Sequence, residues 1–404
     1  MLGCTNFVNS FQFTAVFTNT EIAFRSKSDR QLRNACRLFK TVASKSAVKA
    51  GKILLQAAQR VHFPVAWLVK PTIYAHFTGG ESIGECGKVV RMLEHYHVRA
   101  ILDYAVEGKR TEEGIGEALE ETLRTIDNAA MDDNVAFAVF KPSAFMGSHI
   151  PEKDGTGMLP GLKEEEAARF RERVDLLCRT AFDKQVRILV DAEESWYQDI
   201  VDEAVTGCME KYNSENAVVY NTYQMYRRDR LEALKAAHQR AVGKGYILGA
   251  KFVRGAYMEK ERKRAAELGY TDPIHPDKEC TDRDFNAALE YSVRHIDRIH
   301  ILNGTHNEYS SQYLTCLMED GGISRNDPRC FFSQLYGMSD HISFNLADRG
   351  YNVAKYLPYG PVRSLLPYLI RRSEENTSIA GQTGRELSLI REERRRRKQS
   401  KGGS

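Results

Sequence analysis

The stretch PYLIRRSEENTS, residues 367–378, sets two arginines side by side between a tyrosine and a glutamate. On a helix, Tyr368 lies over Arg371 and Arg372 at i+3 and i+4, and Glu375 follows Arg371 by four and Arg372 by three. Two guanidinium forks on one face can take both oxygens of a carboxylate. The pattern alone also fits a solvated salt-bridge stripe. A second dense stretch, GAKFVRGAYMEKER at 249–262, reads as a strand, a Gly-Ala pair and a helix beginning after Tyr257. Gly255 permits close backbone approach to a ligand, while Lys251 and Arg254 bring positive charge. His295, His300 and His306 are five and six apart, which fits neither one helical face nor a ligand motif, so no metal is expected.

These groups need a scaffold. From about residue 101, short apolar runs rich in β-branched residues alternate with longer charged helical segments. The runs are ILDYA, NVAFAVF, RILV, AVVY, YILGAKFV, HIL, CFFSQL and NVAKYL; the helices fall near 111–128, 164–182, 196–212, 227–242, 281–297, 308–319, 340–349 and 362–376. Eight βα units predict a (β/α)8 TIM-type barrel, with a doubly wound open sheet as the alternative. The strand ends favour the barrel. Asp103, Lys141, Asp191, Gln224, Arg254, Tyr257, Thr305, His306, Gln334 and Tyr356 would all meet at one mouth. No glycine-rich phosphate loop follows any strand, so a Rossmann nucleotide site is not supported. Ahead of the barrel, residues from Ser26 to about Gln59 are helical and amphipathic, with Ser28 or Asp29 as N-cap. SHIPEKDGTGMLPG, 148–161, reads as a loop insertion. The predicted divisions are an N-terminal helical region 1–75, a barrel 76–385 and a basic tail 386–404.

The 404 residues are 42% apolar, enough for a large core. No apolar run reaches the roughly 18 residues of a transmembrane helix. The first twenty residues lack the signatures of a secretory signal or an arginine-rich transit peptide, which predicts a cytoplasmic placement. Eight scattered cysteines without a CxxC predict reduced thiols, no disulfide and no zinc. A net charge of +4 does not mark a nucleic-acid protein. The tail REERRRRKQSKGGS reads as solvated and frayed, or as a contact with anionic lipid at the inner face of the plasma membrane.

Segment 249–262 resembles the proline dehydrogenase family, and four more segments match in order: KPSAF (141–145), VDAEES (190–195), NGTHNEYSS (303–311) and KYLPYGPVRSLLPYLIRRSEEN (355–376). The resemblance covers roughly residues 70 to 380. It implies a barrel whose last helix lies across the mouth, with its Tyr-x-x-Arg-Arg-x-x-Glu face toward a flavin.

For the substrate, the family pattern implies that Lys141, Arg371 and Arg372 surround the carboxylate of proline. Asp191, and Glu375 from the helix, would hold an arginine. Tyr257, Leu335, Tyr356 and Tyr368 would wall the ring. For FAD, the resemblance implies contacts from Ala192, Gln224, Lys251, Arg254, Gly255, Ala256, Lys278, Thr281, Thr305, His306 and Ser378. Arg254, Lys278 and Thr281 would serve the pyrophosphate and Gln224 the ring edge. Lys251 stands beside N5 where many bacterial relatives have arginine, and with Asp191 it forms the implied catalytic pair. Thr281 could instead be an N-cap.

The activity implied is oxidation of L-proline to 1-pyrroline-5-carboxylate by hydride transfer to flavin N5, the first step of proline catabolism. Electrons would pass to a quinone and the product to a separate 1-pyrroline-5-carboxylate dehydrogenase. The alternatives are 4-hydroxyproline as substrate, against which Tyr356 argues by its bulk, and a non-catalytic anion-binding barrel.

Overall fold

The computed structural model describes residues 16–44, 46, 49, 66–106, 111–147, 164–378 and 382–402. Eight parallel strands close into a barrel in sequence order: β1 Arg99–Tyr104, β2 Val135–Phe140, β3 Ile188–Val190, β4 Val219–Gln224, β5 Leu248–Val253, β6 Ile299–Gly304, β7 Cys330–Leu335 and β8 Val353–Tyr359. The β8–β1 ladder, with Ile101 opposite Tyr356, completes the closure. The open sheet is thereby excluded.

The helices, in chain order, are α1 Thr20–Phe24, α2 Asp29–Val42, α3 Ile83–Glu94, α4 Glu112–Met131, α5 Glu164–Asp183, α6 Ser195–Tyr212, α7 Arg230–Lys244, α8 Met258–Leu268, α9 Lys278–Arg294, α10 Glu308–Asp320, α11 Asp340–Asp348, α12 Val362–Ser378 and α13 Gln382–Gly402. Short helical turns run through Ala66–Val69, Lys70–Tyr74 and Ala75–Phe77. Ser28 caps α2 in a capping box with Gln31, which settles the choice between Ser28 and Asp29.

A period of two along each strand sorts the side chains. Ile101, Val139, Leu189, Tyr220, Leu302, Phe331 and Tyr356 form one buried cluster inside the barrel. Their neighbours on the other face, such as Ala100, Val190 and Ile301, join the cluster beneath the helices. The same parity that puts Ile101 and Leu189 inside puts Asp103 and Asp191 inside too, one step nearer the C-terminal mouth.

The last barrel helix is not where an eighth helix normally packs. Leu365, Leu366, Tyr368 and Leu369 of α12 are buried with Ala105 beyond β1, with Met338 beyond β7, and with Val69, Tyr74 and Phe77 of the short turns. That places α12 across the C-terminal mouth. The flank it leaves open is filled by α3, which packs against β1 and β8 and was not among the predicted helices. Gly79 bonds back to Pro358 O, and its missing Cβ leaves room for Cys86 and Leu357.

The chain end differs from its sequence-based expectation. Residues 382–402 form a docked helix, not a frayed tail. Leu387, Leu389 and Ile390 bury against Phe24, Leu32, Cys36 and Phe39. Glu393, fully buried, accepts from Thr20, Arg396 and Arg397, and Arg397 also reaches the Phe24 and Lys27 carbonyls and Asp29. Arg397 thereby satisfies carbonyls that the end of α1 leaves open. Much of the helix's basic charge therefore serves internal carboxylates. The predicted helix across 45, 47, 48 and 50–59 and the insertion at 148–161 lie outside the described residues.

Candidate active site

At the C-terminal mouth, Lys251 from β5 donates to Asp191 Oδ1 at 2.6 Å and to the Tyr356 hydroxyl at 2.7 Å. The Tyr356 hydroxyl donates to the same Asp191 oxygen at 2.8 Å. Lys251 also lies 4.4 Å from the centre of the Tyr356 ring, which adds a cation–π contact. Beside this triangle, Lys141 from the end of β2 donates to Asp103 Oδ1 at 2.5 Å. Two lysines and two carboxylates thus share the inner face of the mouth.

Burial and neighbouring charge act in opposite senses on Asp191 and on Lys141, and in the same sense on Tyr356. Burial pushes the Asp191 carboxyl up, but Lys251, Lys141 and the Tyr356 hydroxyl outweigh it and hold it below its ordinary value. Burial lowers the Lys141 ammonium, yet Asp103 and Asp191 more than offset that. Burial, followed by Asp191 and Asp103, drives the Tyr356 phenol well above its ordinary value, so it remains a hydrogen-bond donor. Glu193 is raised, chiefly by burial, and accepts from both the backbone N–H and the hydroxyl of Ser143 at 2.8 Å.

From above, Arg371 and Arg372 of α12 enter the same region. Arg371 acts electrostatically on Tyr257, and Arg372 on His306. The Arg372 guanidinium sits 5.4 Å from the Tyr368 ring centre, the contact expected of their i, i+4 spacing. Tyr368 is buried, whereas Leu335 and Tyr257 are half-buried. Glu375 and Ser378 belong to α12, but their side chains lie outside the described residues.

One expectation is altered. The structure pairs Asp191 with Lys251 and Tyr356, where an arginine was expected. The reason is reach: β3, β5 and β8 all point these side chains into one barrel axis, whereas the arginines hang from a helix laid over it.

A second group of residues follows strands β4 to β7. Arg254 donates to Asp282 Oδ1 through Nε at 2.9 Å and Nη2 at 2.7 Å, to Thr305 at 2.5 Å and to Ser310 at 3.0 Å. Lys278 pairs with the other Asp282 oxygen. Asp282 thus aligns two cations while leaving net positive charge between them. Thr281 is not the cap of α9; Asp277 fills that position and accepts from Cys280 N–H. His306 is held neutral, chiefly by burial, then by Lys355 and Arg372, and its Nδ1 meets Ser339 Oγ at 2.9 Å. Gly255 has φ +128°, and a Cβ there would lie 2.3 Å from the Tyr226 ring. Gly255→Ala is accordingly expected to cost more than about 1 kcal/mol by denaturant titration, with Gly350→Ala, open though at positive φ, costing less. Equal costs would remove the Tyr226 contact from the explanation.

Gln224 offers the clearest test of cofactor fit. Its amide nitrogen donates to Glu193 O at 2.9 Å and Ala192 O at 3.4 Å, but its buried Oε1 has no hydrogen-bond partner among the described residues. A buried acceptor left over at the mouth suits a ring N–H, such as a flavin pyrimidine supplies. With the Arg254–Lys278 pair for a pyrophosphate, the residues fit FAD.

Sequence reasoning placed Asp103 at the mouth without a partner and did not single out Glu193, Asp282 or Ser339, which hold the predicted residues in place. Glu193 and Asp282 carried a signal, since each follows a named residue, Ala192 and Thr281. Ser339 approaches only through the fold.

The profile of the family described as Proline dehydrogenase matches residues 86–385. Carbapenem antibiotics biosynthesis protein CarD of Pectobacterium carotovorum subsp. carotovorum is 35% identical over 80% of this chain and 83% of its own length. Proline dehydrogenase 1, mitochondrial, of Homo sapiens is 39% identical over 56% of this chain but 38% of its own length. Hydroxyproline dehydrogenase of Xenopus laevis is 30% identical over 93% of this chain and 88% of its own length. Among solved structures, proline utilization A from Bdellovibrio bacteriovorus superposes with a TM-score of 0.70 at 20% identity, over 90% of this chain and 39% of that one. The chain thus spans well under half of several of the proteins it matches.

Proposed function

Since this chain belongs to the proline dehydrogenase family, we propose that it oxidises L-proline to 1-pyrroline-5-carboxylate with FAD as its redox cofactor. The observation that carries the reading is a helix bearing Arg371 and Arg372 laid across a mouth that holds the Lys251–Asp191–Tyr356 triangle and the Gln224 oxygen left over among the described residues.

The two arginines, with Lys141 below, bind the substrate carboxylate through charge-assisted bonds and orient the ring from that end. Tyr257, Leu335, Tyr356 and Tyr368 wall the ring and exclude water. Asp191, ionised, and Tyr356, protonated, hold the Lys251 ammonium at a fixed point. Neither then releases or takes a proton near neutral pH, so their work is positioning and charge. Gln224, Arg254, Gly255, Lys278, Thr305 and His306 would hold FAD, which when bound accepts the hydride from the ring carbon next to nitrogen. Ala192, Ala256, Thr281 and Ser378 complete the proposed contacts, and Glu375 would support the arginines.

Lys251→Met is expected to lower the bound flavin's reduction potential by about 30 mV or more, equivalent to about 1.4 kcal/mol for a two-electron couple. Spectroelectrochemical titration measures it. An unchanged potential would remove Lys251 from the neighbourhood of the flavin ring.

A second reading, 4-hydroxyproline as substrate, is favoured by the similarity to hydroxyproline dehydrogenase along 93% of this chain. Against it stands the Tyr356 phenol, anchored by Asp191 and Lys251 within the pocket wall. A quinone as electron acceptor, and a separate dehydrogenase for the product, complete the proposal. Among the described residues no helix is long and apolar enough to cross a membrane. Contact with a quinone pool would then be peripheral, at the inner face of the plasma membrane, through exposed basic residues of α13 such as Arg395 and Lys398.

A further inference from the structure

The parity that gathers functional groups at the C-terminal mouth gathers a different set at the opposite end. Two residues before Ile101 on β1 comes Arg99; two before Leu189 on β3 comes Arg187; two before Leu302 on β6 comes His300. All three point toward the barrel axis at the N-terminal opening. Four residues separate Arg99 from Asp103, so about 13 Å of barrel, filled by Ile101, Leu189, Leu302 and Phe331, divides the two ends.

The chemistry here is one-sided. Arg187 lies 5.3 Å from the Phe331 ring centre and 5.7 Å from that of Phe137, while Arg99 lies 5.9 Å from Phe331. The two rings meet edge to face at 5.0 Å, forming a common platform for both guanidiniums. Neither guanidinium has a carboxylate or any other hydrogen-bond partner among the described residues. Arg187 instead repels Arg99, against which Asp133 supplies the opposing charge. His300, 94% buried by its 6% exposure, also makes no hydrogen bond among the described residues. Burial, Arg187 and Arg329 together push its imidazole down to about 4, with Asp327 opposing weakly. Arg329 is satisfied by Asp327 and Asp297. Arg99 also lines an open cavity of about 700 Å³, whose carboxylates Glu94 and Asp348 are committed to Arg91 and Arg25.

Two like charges held on one aromatic platform, beside an unpartnered buried imidazole, form a receptor for negative charge. Their forks suit a tetrahedral oxyanion, which accepts several N–H bonds at once. We propose that the N-terminal opening of the barrel binds a phosphate group through Arg99 and Arg187, with His300 as its third contact. The phosphate is either free or the monoester of a small molecule, whose remainder would extend into the open cavity beside Arg99. Binding relieves the repulsion between the arginines and gives His300 an acceptor.

The test uses the full chain with its flavin bound, and inorganic phosphate or glycerol 3-phosphate as probe against chloride of equal ionic strength. Phosphate is expected to raise the melting temperature saturably and to raise the His300 pKa, followed by its imidazole NMR signal, by about one unit or more. Arg99→Gln, an exposed position, and Arg187→Gln should each abolish both effects, and Arg187→Lys should leave a weakened one. Tighter binding of glycerol 3-phosphate than of phosphate identifies the ligand as a monoester; equal binding identifies it as free phosphate. An effect matched by chloride, or one that survives in both Gln variants, overturns the site. Should Arg187→Gln not fold, Arg99→Gln with the His300 signal decides alone.

Discussion

Arg371→Met and Arg372→Met are each expected to weaken proline binding about 10- to 150-fold while leaving FAD bound and the barrel folded. A hydrogen bond between charged groups contributes about 1.5–3 kcal/mol, which sets that range. Methionine keeps much of the apolar stem, so Tyr368 and the buried leucines of α12 retain their packing across the mouth. Flavin absorbance, titrated with proline and with a ring analogue lacking the carboxylate, reads the result. The analogue never uses the forks and should lose little in either variant. Were the arginines only a surface stripe, stability would change by less than about 1 kcal/mol and proline affinity would hold.

The largest stability effect is expected at Asp340, at the start of α11. Its carboxylate takes Lys355, which is fully buried, at 2.9 Å, and Lys27 at 3.5 Å. Asp340→Asn leaves the Lys355 ammonium with only the carbonyls of Met338 and Leu335, at 2.6 and 3.4 Å. Breaking a buried pair from one side costs about 3–5 kcal/mol, read as a lowered denaturation midpoint. An unchanged midpoint would mean that the ammonium is solvated or neutral.

The same pair gives a pH signature. Burial pushes the Asp340 carboxyl up, but Lys355 and Lys27 prevail and bring it down to about 2 from 3.8. A depressed carboxylate contributes stability that is complete above its unfolded value and lost as pH falls through its folded one. The wild type should therefore lose about 2 kcal/mol at this group between roughly pH 4 and 2. In Asp340→Asn that part of the slope disappears. The part due to Glu308, also held down to about 2, persists.

The barrel was legible because its information is local. Each strand is a short β-branched run and each helix a longer charged segment, so alternation alone orders them. Gln224, Lys251 and Tyr356 were legible as polar groups at strand ends for the same reason. What escaped depends on distant contacts. Nothing near Ile83 tells that α3 must fill a flank vacated by α12, some 280 residues later. The basic run at 394–398 looked solvated because Glu393 is meaningful only beside Thr20 and Arg397 only beside the end of α1. Asp191 gained a lysine in place of an arginine because barrel closure, not sequence proximity, brings β3 against the axis shared by β5 and β8.

The most direct measurement is anaerobic titration of the purified, flavin-loaded protein with L-proline, followed at the oxidised flavin band near about 450 nm. The account predicts that the protein retains FAD and that proline bleaches the band, with 4-hydroxyproline bleaching it more weakly because Tyr356 occupies the space its hydroxyl needs. A protein that retains no flavin, or a flavin that proline leaves oxidised, would contradict it.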